Sequence, residues 1–183
     1  MHNDTITKGV IWGLIGGLVG TIIMDLVIAG FFWLMGMPID LIYSFIGEVA
    51  QSFFLRIGID APSAVPLGAF VHFFLGLALG GLFGFAVSKI RALRVESLRK
   101  GVLLGILYIE VASQPILVTA PLLRKMTPSD ILQWYGLSTV MHLIYGIVLG
   151  GVLSYHQKET AHAKSAAQHS VHPTGGIPTA KRS

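Results

Sequence analysis

No cysteine occurs in the chain, and only 12% of its 183 residues are charged. The first absence removes disulfides, thiolate metal sites and cysteine nucleophiles. The second is as restrictive. A soluble domain carries roughly 25% charged residues, so this chain has too few to clothe a water-facing surface. Also missing are a closely spaced metal-ligand motif and a nucleophile–base constellation, so the sequence points away from an enzyme. What is abundant is apolar: 53% of the residues are hydrophobic, with 22 glycines, and the mean hydropathy is +0.71. The solvent that suits such a chain is a lipid bilayer.

Four runs are long enough to cross one, since a transmembrane helix needs ~20 apolar residues. They cover residues 9–37, 66–88, 101–123 and 129–155. The first far exceeds the roughly 7–15 apolar residues of a secretory signal and reads as an uncleaved span. Residues 38–61 mix Asp40, Glu48, Arg56 and Asp60 with Ile42, Phe45, Ile46, Val49 and Phe53 at near-helical spacing. Too polar to span, this segment predicts an amphipathic interfacial helix after the first span. In the third span Pro115 removes a backbone hydrogen bond and predicts a kink. Thr127-Pro128-Ser129-Asp130 reads as a helix start, with Thr as N-cap and Pro at the first position. From residue 156 the chain turns polar, and 156–183 is expected to be a disordered cytoplasmic tail. The fold class is therefore all-α, a polytopic bundle of four transmembrane helices over residues 1–155.

Lys and Arg are unevenly placed. Lys8, the loop residues Lys89, Arg91, Arg94, Arg99 and Lys100, and Lys158, Lys164, Lys181 and Arg182 fall on one side. Only Arg56, Arg124 and Lys125 fall on the other. By the positive-inside rule both termini are expected in the cytoplasm.

A motif occurs twice. His72, Gly76 and the pair Gly80-Gly81 return as His142, Gly146 and Gly150-Gly151. Positions four apart lie one above another on a helix, so each copy is a smooth groove with an imidazole at its end. Lys8-Gly9-Val10 with Gly13 likewise returns as Lys100-Gly101-Val102 with Gly105. The order and direction of both matches predict a duplicated helical hairpin, an internal repeat about an axis along the membrane normal. In the first span Gly9, Gly13, Gly17, Thr21 and Asp25 form one stripe, small residues that admit a neighbouring backbone and end in a carboxylate. Gly13, Gly17, Gly76, Gly80, Gly146 and Gly150 are the packing candidates, and the grooves on the second and fourth spans are expected to bring those two helices together.

Counting at 1.5 Å per residue from the basic residues places Asp25, His72 and His142 at one depth, with Gln114 nearby and Glu110 a turn deeper. Ionisable groups in hydrocarbon face inward and mark pathways. The expected function is a small non-enzymatic membrane protein whose polar layer handles protons, an ion or a small solute. One alternative is a structural or accessory subunit of a membrane complex, in which the layer only fixes packing. A third is a haem- or divalent-metal-binding protein, with His72, His142 and Asp25 as ligands. The expected partners are the bilayer, further copies of the chain or other membrane subunits. Nucleic acid is not among them, because topology and anionic headgroups account for the basic loop.

Residues 68–151 resemble the YagU-type family of uncharacterised bacterial inner-membrane proteins. The likeness lies in the His opening the second span, the basic turn, the Gly-rich third span broken at Pro115, the polar turn and His142. Met24-Asp25 departs from that family's pattern. The resemblance implies a small four-helix inner-membrane protein and no particular cofactor.

Overall fold

The structure is a computed structural model describing residues 2–171, with side chains described over 5–159. Its helices are α1 (His2–Leu34), α2 (Leu41–Arg56), α3 (Ala64–Lys89), α4 (Leu98–Ala112), α5 (Gln114–Arg124) and α6 (Pro128–Val171), with one 3₁₀ turn at Arg91–Leu93. There is no strand among the described residues. Four stretches are long and apolar enough to cross a membrane: Thr5–Leu34, Ala64–Lys89, Leu98–Arg124 and Pro128–Glu159. The chain is a multi-pass membrane protein.

Small residues decide which helices meet. A Cβ placed on Gly9, Gly13 or Gly17 would collide with Gly84, Gly80 or Gly76 of α3 respectively, mostly at backbone atoms. In the second hairpin Gly101 meets Gly150, and Gly105 meets Gly146. The glycine faces therefore join α1 to α3 and α4 to α6. This corrects the expectation that they would join the second and fourth spans: a groove of small residues admits a backbone without naming which one, and each α3 or α6 groove is filled by the glycine stripe of α1 or α4 instead. The hairpins then meet through α1 and α6, where Gly16 packs on Leu149 and Gly20 on Tyr145. Two tyrosines reach across to α3 carbonyls, Tyr145 to Gly76 at 2.6 Å and Tyr108 to Leu79 at 2.8 Å.

Three boundaries differ from the sequence reading. The third span is two helices, broken at Ser113, with Pro115 in the first turn of α5 where its missing N–H costs nothing. The fourth span does not stop at residue 155. Its helix continues to Val171, through a segment rich in Ala, with Lys and Gln, all good helix formers, and no Gly or Pro. The remainder of the expected disordered tail, 172–183, lies outside the described residues. Finally, the amphipathic segment does not lie free on the interface. Its helix α2 docks on α3 where Gly47 meets the backbone of Ala64 and Gly68 that of Tyr43.

The start of α6 follows its sequence signal. Thr127 Oγ1 accepts from the Asp130 N–H at 3.3 Å, and Asp130 Oδ2 accepts from the Thr127 N–H at 3.2 Å. This reciprocal pair satisfies two donors that a helix N-terminus otherwise leaves bare.

Candidate functional site

Packing is uneven along the bundle. Towards the end holding the N-terminus, Phe83, Val87, Leu149 and Leu153 are almost wholly buried and close the interior. Towards the other end the interior opens into a cavity of about 130 Å³, lined by both hairpins and by α2. Asp25, His72 and His142 all line it. The shared depth thus corresponds to a real space, because buried ionisable groups turn towards one another rather than towards lipid.

The histidines have different partners. His72 Nε2 lies 2.8 Å from Asp25 Oδ1. The other carboxylate oxygen accepts from the Tyr43 hydroxyl at 2.7 Å. Burial, and then the hydrogen bond to Asp25, push the Tyr43 phenol pKa up, so it remains a donor. His142 Nδ1 instead lies 3.1 Å from Ser113 Oγ, at the break between α4 and α5. Its counterpart geometry is set by a slip of one helical turn. Gly13 packs between Gly80 and Gly84, but Gly105, its repeat equivalent, packs between Gly146 and Gly150, one turn nearer the histidine. His142 therefore stands level with Ser113, the equivalent of Thr21, and the equivalent of Asp25 is Leu117.

Glu110 and Gln114 do not border this space, contrary to the sequence reading. Neither lines the cavity. Gln114 is exposed, with its amide donating to the Glu110 carbonyl at 2.8 Å. Glu110 Oε1 is buried and has no hydrogen-bond partner, on a side of α4 flanked by the exposed Leu107 and Val111. Depth alone puts them in the layer, and their position around the helix removes them. Two contributors escape the sequence reading. Tyr43 sits in the amphipathic segment with no motif to flag it, and Ser113 reads as an ordinary polar residue until the helix break turns it towards His142.

A third element adds a wall. Ile42 and Ile46 of α2 line the cavity. On its far side α2 is tied down by Glu48 and Arg124, 2.6 Å apart, and by Phe45, whose ring centroid is 4.6 Å from that of Trp134.

A metal or haem fits this donor set poorly. Among the described residues no three of His, Cys, Asp and Glu converge, whereas even open catalytic zinc sites use three protein ligands. His142 is turned to Ser113, which leaves His72 and Asp25 as a pair. A cavity of about 130 Å³ also falls below the roughly 300–1,000 Å³ of pockets for drug-sized ligands, so a porphyrin has no slot here.

Fold and site together define a small polytopic helical membrane protein with a partly open cavity between its hairpins, lined by two histidines with different polar partners. The chain belongs to a family of unknown function (DUF6789), whose profile matches residues 7–164. That match names this family and not the YagU-type one. No curated protein and no solved structure matches the chain.

Proposed function

We propose that this is a non-enzymatic protein of the inner membrane, both termini cytoplasmic, whose cavity handles protons together with a small solute. The supporting observation is that a histidine from each hairpin opens onto one cavity while a different polar partner holds each ring. Imidazole is the side chain that titrates near neutral pH, and intramembrane ionisable groups commonly mark such routes. The orientation rests on the excess of Lys and Arg at the terminus-bearing side.

Proteoliposomes carrying an internal pH-sensitive dye test the proton part. An imposed pH gradient should decay faster with the protein than in empty vesicles, and His72→Gln and His142→Gln should return the rate towards background. Unchanged rates in both variants would reject proton handling.

A second reading, membership of a larger membrane assembly, is favoured by Glu110. Glu110 is half-buried on a face of α4 shared with the exposed Leu107 and Val111, and a carboxyl group on such a face is costly in lipid unless another copy or subunit covers it. Blue-native electrophoresis of wild type and Glu110→Leu separates the two: a shift to a smaller species in the variant supports assembly, and identical migration at the monomer position removes it.

A further inference from the structure

Taking the cavity as a solute site, as proposed above, we infer that its ligand is an uncharged molecule the size of one aromatic ring, carrying a hydroxyl that bridges the two histidines. Three observations carry this. The first is charge. Each oxygen of Asp25 already accepts one hydrogen bond, from Tyr43 and from His72, so a cation would have to share the carboxylate with both donors. No Lys or Arg lines the cavity to meet an anion.

The second is the tautomer each partner imposes. Asp25 accepts from His72, so Nε2 carries the proton and Nδ1 offers a lone pair. Ser113 Oγ lies 3.1 Å from His142 Nδ1 and 3.4 Å from the Glu110 carbonyl. Hydroxyl donors prefer about 2.5–3.0 Å to oxygen, so the serine proton goes to the ring nitrogen. His142 Nδ1 is then the acceptor, and Nε2–H is a donor. Neither His72 Nδ1 nor His142 Nε2 bonds to a described residue. The two hairpins thus present one acceptor and one donor. A hydroxyl, which donates once and accepts through its lone pairs, is the complement of that pair.

The third is size and wall chemistry. The cavity measures about 130 Å³, and Ile28, Leu75, Leu79 and Ile109 are among its walls. An engineered apolar cavity of roughly 150 Å³ holds benzene.

The test uses the full chain in lipid nanodiscs with ¹⁵N-labelled histidine, titrated with phenol and, separately, with benzene. Phenol should produce saturable shifts at His72 Nδ1 and His142 Nε2, and benzene should leave both resonances near their starting positions. His142→Phe should weaken phenol about three- to tenfold, the loss of one hydrogen bond. An unchanged thermal unfolding midpoint in the same nanodiscs would show that this variant is folded. Equal responses to phenol and benzene would overturn hydroxyl recognition while sparing the solute site. Shifts that never saturate, as expected from partitioning into lipid, would overturn it as well. No binding of either compound would remove both this inference and the solute reading.

Discussion

In the first hairpin Gly13 packs on Gly80, and a carboxylate on α1 faces the histidine on α3. In the second, the equivalent Gly105 packs one turn nearer the histidine, which then meets a serine hydroxyl instead. Both hairpins are built from the same motif, yet one turn of register separates a histidine held by a carboxylate from one held by a hydroxyl. Glycine-on-glycine packing permits this. A face without side chains has no knobs to fix its register, so neighbouring turns are near equivalents. Register is then settled by what lies at the ends of the stripe: Asp25 and Tyr43 in one case, the helix break at Ser113 in the other.

The severest way to break the comparison is to fill the seams. Gly80→Leu and Gly150→Leu each drive a side chain into a partner backbone that cannot yield. Each should cost more than the ~1–3 kcal/mol of ordinary overpacking and abolish the monodisperse peak in detergent size-exclusion chromatography. If only Gly80→Leu does so, the second hairpin does not depend on its glycines.

Next in size are the histidine partners. Asp25→Ala removes two hydrogen bonds to a charged group and should lower stability by about 3 kcal/mol, whereas Ser113→Ala loses one neutral bond, about 1 kcal/mol. Thermal unfolding in one detergent gives the order. Equal effects would erase the distinction between the hairpins.

Arg124→Gln breaks the ion pair that ties α5 to α2. Both partners are more than a third exposed, so the cost should be at most about 1 kcal/mol, and unfolding in 1 M salt should no longer separate wild type from variant.

The smallest effect belongs to the second glycine of the repeated pair. Gly81 packs against Leu14, while nothing lies near Gly151. Gly151→Ala should therefore be neutral or stabilise the helix by up to about 1 kcal/mol. A clear loss in the same unfolding experiment would mean that this face is covered in the membrane.

Much of this architecture is legible in the amino-acid sequence. Length and hydropathy mark four spans, since nothing else explains such runs at so low a charge. Pro115 announces the break, and Thr127 with Asp130 announces the start of α6. The level shared by Asp25, His72 and His142 follows from helical rise alone. What the sequence hides depends on rotation and pairing. Rise fixes the depth of Glu110 and leaves its direction to helix packing, and that direction is away from the cavity. Glycines show that a backbone comes close without saying whose, so sequence does not tell the α1–α3 and α4–α6 seams from an α3–α6 one. Tyr43 belongs to a segment that pattern places at the interface, and only its docking through Gly47 and Gly68 carries the hydroxyl to Asp25.

The central claim is an accessible space between the hairpins, and two serines on α6 test it directly. Ser138 and Ser154 are both buried, at 7% and 2% exposure. Ser138 lines the cavity, whereas Ser154 lies in the packed seam against Gly101, its hydroxyl on the Gly150 carbonyl at 2.7 Å. Because the chain has no cysteine, Ser138→Cys and Ser154→Cys each offer a small methanethiosulfonate reagent a single thiol. In native membranes Ser138→Cys should be modified and Ser154→Cys should stay unreactive, as read by mass spectrometry of the intact protein. Equal protection of both thiols would contradict the account.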